Sequence, residues 1–296
     1  MPEFRSAPSL WAEFSGPAKV RPGLKRDAEV DVAIIGAGFT GLWTAYYLQK
    51  FAPELKIAVL EANHVGFGAS GRNGGWCSAL FPTSTSKLSA KFGSTQARRM
   101  YQAMVDNLQQ ISEVIATEGI ECDWTQGGTV VAARNSVQLA RAKAEVAEHL
   151  ANDLPEENLQ LLSLTELAAQ VNVAEALGGT FTPHCAALNP LKLVTQLADL
   201  VETRGVEIYE NTAALRLQPR QVLTGQGIVK AKFVVRATEG YSAKLPQFSR
   251  AVAPIYSMMI ATEPLTSAQL AEVGLAKRQT FSDFRNLIIY GQRTAD

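Results

Sequence analysis

The stretch Val32 to Leu48, VAIIGAGFTGLWTAYYL, constrains the fold more than any other part of the chain. It carries no charge, yet three glycines interrupt it, and it falls short of the roughly twenty apolar residues that a membrane-spanning helix needs. A strand, a tight turn and a helix explain it better. The β-branched run Val30 to Ile35 reads as a buried strand. Gly36-Ala37-Gly38-Phe39-Thr40-Gly41 fits G-x-G-x-x-G, and Gly41 to about Phe51 is helical in composition and ends before Pro53. Lys56 to Leu60, KIAVL, supplies a second buried strand, so the front of the chain reads as a βαβ unit.

A glycine fingerprint alone matches many turns, but this one follows a strand, opens a helix and is trailed about twenty residues later by Glu61 at the end of the second strand. Each position has a mechanical task. Gly36 permits the tight turn, Gly38 lets backbone approach a pyrophosphate, and Gly41 allows helix to pack closely on sheet. The helix N-terminus offers N–H groups and partial positive charge to phosphates. The Glu61 carboxylate can accept hydrogen bonds from ribose hydroxyls and would repel a 2′-phosphate, which disfavours an NADP-type ligand. The alternative is a structural glycine turn beside a surface carboxylate.

The βαβ unit does not separate NAD from FAD; the next segment does. Glu61 to Trp76 reads EANHVGFGASGRNGGW and contains Gly66, Gly68, Gly71, Gly74 and Gly75 around a single cation, Arg72. A plain NAD domain requires little immediately after the acidic residue. Bare backbone beside a guanidinium suits phosphate oxygens. Blander roles stay open for individual residues: Arg72 as a surface cation, Ser70 as a helix N-cap, Arg236 as a structural or interfacial charge in an apolar strand, and Trp43, Tyr46 and Tyr47 as helix packing.

Composition excludes several classes. The 296 residues balance 28 Lys and Arg against 28 Asp and Glu, which gives no reason to expect nucleic acid as a partner. Cys77, Cys122 and Cys185 stand far apart, and neither they nor His64, His149 and His184 have metal-ligand spacing, so no metal is expected. The N-terminal sequence lacks the basic start and apolar run of a signal peptide, and the expected compartment is the cytoplasm.

The segments DVAIIGAGFTGLWTAYYL and LEANHVGFGASGRNGGW resemble the FAD-dependent amine and amino acid oxidoreductases of the D-amino acid oxidase superfamily, a group that includes glycine oxidase and γ-glutamylputrescine oxidase. LGGTFTPHCAALNPLKLVTQLADLVETRGVEIYENTAALRL and KAKFVVRATEGYSAKL resemble the family's later helix and strands, so the likeness covers nearly all of the chain from residue 9. The resemblance implies an α/β fold, with a Rossmann-like FAD-binding domain interleaved with an α+β, antiparallel-sheet substrate domain. Residues 1–28 would form an irregular leader, 29–83 and 184–247 the FAD-binding domain, and 84–183 and 248–296 the substrate domain. The turn Gly36 to Gly41, with Ala37, Phe39 and Thr40 between its glycines, would hold the pyrophosphate of FAD, and Glu61 with Ala62 the adenosine ribose. Ala69, Ser70, Gly71, Arg72 and Asn73 would wrap the pyrophosphate and ribityl chain, while Gly74 and Gly75 let backbone approach the isoalloxazine. Ala214 would contact adenine through its main chain, and Ala237, Thr238, Glu239 and Gly240 would close over the adenosine side.

The chemistry implied is hydride transfer from the α-carbon of an amine or amino acid to flavin, hydrolysis of the imine, and reoxidation by oxygen or another acceptor. No catalytic residue is identified; Tyr290 and Arg285, near Phe281 and Asp283, are the candidates for facing substrate. Relatives continue past the point where this sequence ends at NLIIYGQRTAD. The resemblance therefore also implies a shortened chain, and the alternative function is an FAD-binding fragment with no turnover of its own.

Overall fold

The computed structural model describes residues 9–13, 15, 19–255 and 257–295. In chain order the first elements are α1 (Leu10–Glu13), β1 (Ala28–Ile35), α2 (Phe39–Phe51), β2 (Ile57–Leu60), β3 (Trp76–Ser78), α3 (Thr85–Phe92), α4 (Ser94–Thr117), β4 (Thr129–Ala133), α5 (Ser136–Ala151), β5 (Gln160–Leu162) and α6 (Leu164–Ala168). They are followed by β6 (Gly178–Thr182), β7 (Cys185–Ala187), α7 (Pro190–Thr203), β8 (Glu207–Tyr209), β9 (Ala214–Gln218), β10 (Gln221–Thr224), β11 (Ile228–Arg236), α8 (Ser267–Val273), β12 (Thr280–Asp283) and β13 (Tyr290–Gly291). The chain divides into two compact units. One comprises 1–73, 120–122 and 190–260; the other comprises 74–119, 123–189 and 261–296. These borders differ from the expected ones at 83, 184 and 247, and they assign Gly74 and Gly75 to the second unit.

The first unit is built on a six-stranded sheet in the order β8-β2-β1-β11-β10-β9. Strands β8, β2, β1 and β11 run parallel, and β10 and β9 add an antiparallel edge. Strand β1 is buried from Val32 to Ile35 and β2 throughout, the near-continuous apolar run expected of a parallel strand covered on both faces. Helix α2 buries Leu42, Ala45, Tyr46 and Gln49, and α7 buries Leu193, Val194, Leu197, Ala198 and Val201, each a stripe at helical spacing. Helix α7 opens with Pro190, whose missing N–H costs nothing at a first helical turn. It ends at Gly205, whose φ of +85° and bond to the Glu202 carbonyl close the last turn.

The leader is not wholly irregular. Leu10–Glu13 is helical, and Trp11, Arg21 and Leu24 are each only 4% exposed. The reason lies outside the leader: Arg21 meets Asp199, Glu202 and Glu210, and the Leu24 N–H donates to Thr212 Oγ1. A buried guanidinium survives because three carboxylates surround it.

The second unit carries a five-stranded sheet in the order β13-β12-β4-β6-β5, antiparallel except for the β12–β4 pair, and a small antiparallel pair, β3 with β7. Its core gathers Val130, Ala132, Leu162, Leu167, Val171, Ala176 and Leu275. Two expectations fail here and at the end of the first unit. Ile255–Glu263 reads as a strand, but its described residues form none; Ile255, Met258 and Ile260 are more than nine-tenths exposed, and an apolar run without a partner strand has no ladder to join. Residues 287–290 also read as a strand, but of these only Tyr290 pairs, in the short β13. Conversely, residues 227–230 and 232–237 each read as a strand by composition, and they form one continuous strand, β11, held along its length by β1.

Candidate functional site

The β1–α2 turn is closed on itself. Gly36 has φ +107°, and a Cβ on Gly41 would lie 2.0 Å from the Gly36 carbonyl oxygen, so neither position accommodates a side chain. Gly38 is the N-cap of α2 and offers no side-chain cap. That role is filled across space by Ser70, whose Oγ accepts from the Phe39 N–H at 2.9 Å. The Ser70 hydroxyl accepts here and keeps its own proton to donate. A Cβ on Gly38 would meet this same Oγ at 2.7 Å. Capping and ligand contact are compatible in Ser70, as the sequence allows.

Glu61 follows β2 and bridges two loops. Its carboxylate accepts from the Ala37 N–H at 2.9 Å and the Asn63 N–H at 2.9 Å. A carboxylate offers about four lone-pair positions, so both oxygens retain capacity for hydroxyl donors.

Within the first unit these residues surround a cavity of about 260 Å³. Gly36 to Thr40, Glu61 with Ala62, Ala69 with Ser70, Ala214, and Ala237 to Glu239 all line it, bringing together five chain segments that the sequence proposes for one ligand. Gly41, Gly71, Arg72, Asn73 and Gly240 belong to the same unit but are not among the lining residues. Gly41 and Gly71 act by close packing instead. Gly240 packs toward Pro254. Arg72 sets its guanidinium 5.0 Å from the centre of the Phe67 ring, and its Nε is buried without a hydrogen-bond partner among the described residues.

Gly74 and Gly75 are packed within the second unit. A Cβ on Gly74 would approach the Tyr290 ring to 2.8 Å, and one on Gly75 would meet the Leu188 carbonyl at 2.3 Å. The Gln292 side-chain amide donates to the carbonyls of both glycines. Tyr290 also stands edge-on to Trp76. Arg285 is engaged by Asp283 at 2.5 Å, and Phe281 packs in the sheet core. Arg236 has a structural setting, bonded to Ser242 Oγ and stacked 4.2 Å from the Phe248 ring centre. Trp43, Tyr46 and Tyr47 form the expected aromatic packing on α2.

Several lining residues escape a reading of the sequence: Asn63, Phe67, Ala213, Lys244 and Leu245. Lys244 closes the 3-10 turn over 239–244 that begins within the ATEGY motif, and its proximity to that motif is the signal that points to it. Lys244 sets its ammonium 5.1 Å from the Tyr241 ring centre.

The donor set fits the adenosine diphosphate part of FAD. A helix N-terminus with a hydroxyl donor suits phosphates, a carboxylate with free lone pairs suits ribose, and Leu60, Ala213 and Ala214 present apolar wall to a base. Among the described residues no group of His, Cys, Asp and Glu could hold a metal, and no helix is long and apolar enough to cross a membrane.

A family model described as FAD dependent oxidoreductase, DAO, matches residues 31–296. The chain is 31% identical over 280 residues to the gamma-glutamylputrescine oxidoreductase of Escherichia coli (strain K12), covering 92% of this chain and 64% of that protein. It is 29% identical over 284 residues to the probable oxidoreductase OrdL of Haemophilus influenzae, covering 93% and 65%. It thus spans just under two thirds of the length of these curated relatives. Among solved structures, glycine oxidase from Geobacillus kaustophilus superposes with a TM-score of 0.59 at 22% identity, over 76% of this chain and 58% of that one. L-proline dehydrogenase from P. horikoshii gives 0.67 at 16% identity, over 93% and 68%. At these identities the structural matches speak for the fold.

Proposed function

We propose that this chain, which belongs to the DAO family of FAD dependent oxidoreductases, serves the oxidation of a primary or secondary amine or an amino acid. The observation that carries the reading is the cavity in which the α2 N-terminus, Ser70 and the Glu61 carboxylate converge. FAD, when bound, supplies the hydride-accepting chemistry. The chain's own residues hold it: the Gly36 to Thr40 turn at the α2 N-terminus and the Ser70 hydroxyl at the phosphates, Glu61 at the ribose, and Ala214 and Ala237 to Glu239 around the adenosine. The proposed partners are the amine or amino acid and oxygen or another electron acceptor.

The experiment is a panel of amines and amino acids, including γ-glutamylated diamines, glycine and proline, mixed with FAD-loaded protein without oxygen. Bleaching of the flavin absorbance by one class is the expected result and names the substrate. Protein that takes up FAD but is bleached by no amine keeps the nucleotide site and removes the turnover. Protein that stays colourless in excess FAD overturns the reading.

A further inference from the structure

The segment carrying Arg72 has a backbone problem that the leader solves. Ala69–Gly71 forms one 3-10 turn, in which the Gly71 and Arg72 N–H groups donate to the carbonyls of Gly68 and Ala69 at 3.3 Å each. A helical end leaves its last carbonyls without partners inside the helix. Here the carbonyls on either side of Arg72 receive donors from far away in the chain. Ser9 Oγ donates to the Gly71 oxygen at 3.1 Å, and the Trp11 indole Nε1–H donates to the Asn73 oxygen at 2.9 Å. Trp11 is 4% exposed, so its indole is packed into the protein, and its own carbonyl accepts from Ser15 Oγ at 2.6 Å. Arg72 is thereby gripped at the residue before it and the residue after it. Its guanidinium stacks on Phe67, which lines the cavity, and its Nε–H has no partner among the described residues. A buried guanidinium nitrogen without an acceptor points to an anion that is to be supplied.

We infer that Trp11 is a positioning residue for FAD: its indole N–H, with Ser9, clamps the Gly71–Asn73 backbone and so sets Arg72 toward the anionic part of the cofactor. This rests on the reading that the first unit binds FAD. A clamp of this kind acts only through Arg72, so its contribution to affinity must vanish when Arg72 is gone.

The test is a double-mutant cycle read by flavin fluorescence on titrating apoprotein with FAD, with thermal unfolding followed in parallel. Trp11→Phe keeps an aromatic body and removes the N–H; about a three- to tenfold loss of FAD affinity is expected, the scale of one hydrogen bond. Ser9→Ala, which leaves the buried indole in place, should lose less in the same direction. Arg72→Gln should weaken FAD binding, and Trp11→Phe added to it should weaken it no further. The proposal is overturned if Trp11→Phe leaves affinity unchanged, or if its loss is the same in the Arg72→Gln background, which would mark a structural role alone. Arg72→Gln with unchanged affinity would break the phosphate role of Arg72 and the clamp with it. Weakening by Arg72→Gln but not by Trp11→Phe would break only the clamp, and failure of the parent protein to bind FAD would break the underlying reading.

Discussion

The turns Gly36–Gly41 and Gly66–Gly71 share one device and use it to opposite ends. In each, the first glycine has positive φ, +107° and +71°, and its carbonyl oxygen sits where a Cβ on the last glycine would be, at 2.0 Å and 2.2 Å. The first turn feeds α2 and presents N–H groups at a helix start. The second feeds a single 3-10 turn and leaves carbonyls that Ser9 and Trp11 must satisfy. The first is held from within the same βαβ region, by the Ser70 hydroxyl and the Glu61 carboxylate on the Phe39 and Ala37 N–H groups. The second is secured from outside, by the leader, by α7 through Leu191 and Val194, and by Glu210, which accepts the Val65 N–H at 3.0 Å. The same glycine spacing therefore makes a donor surface in one place and, in the other, a graft that depends on distant partners.

The largest test strikes the outside support. Arg21→Met strands the Glu210 carboxylate, 3% exposed, without its guanidinium, and unfolding in urea should show a loss of about 3–5 kcal/mol. A loss below 1 kcal/mol would mean that the second turn does not lean on the leader. Next, Gly41→Ala and Gly71→Ala should each cost about 1–3 kcal/mol, because the obstacle is a carbonyl oxygen that no rotamer change removes. At Gly66 the obstacle is a side chain, Val194 Cγ1 at 2.6 Å, so Val194→Ala should recover part of the loss from Gly66→Ala. No side-chain truncation should rescue Gly41→Ala, and rescue there would erase the contrast. Ser70→Ala joins the two turns: removing the hydroxyl that caps Phe39 should cost about 1 kcal/mol and lower FAD affinity as well, checked by melting and titration.

The smallest effect lies outside both turns and serves as their control. Burial, and then the nearby His149, lower the pKa of His184 below its ordinary 6.5. The folded state thus disfavours the charged ring. The stability this contributes is fully present above the ordinary value and is lost as pH falls through the lowered one. His184→Asn should flatten the fall in melting temperature over that window and leave FAD affinity at neutral pH unchanged.

Much of the fold is legible in the sequence because it is local. The β-branched runs at Val30–Ile35 and Ile57–Leu60 mark strands buried on both faces, and Pro190 and Gly205 punctuate α7. The failures share a cause. Ile255–Glu263 has the composition of a strand, but pairing depends on a neighbour that composition does not name. Trp11 reads as leader and is core for the same reason, since its partner stands 62 residues away.

For the site, the sequence by itself determined the first turn, the position of Glu61 and the FAD type, because close backbone packing and a strand-turn-helix order act over a few residues. Only the tertiary structure decided that Glu61 also braces Ala37 and Asn63, that Ser70 caps α2, that Lys244 joins the wall, and that the leader grips Arg72. Hydrogen bonds are short-ranged in space and indifferent to distance along the chain, so which donors meet which carbonyls is fixed only when the sheet and α7 have assembled.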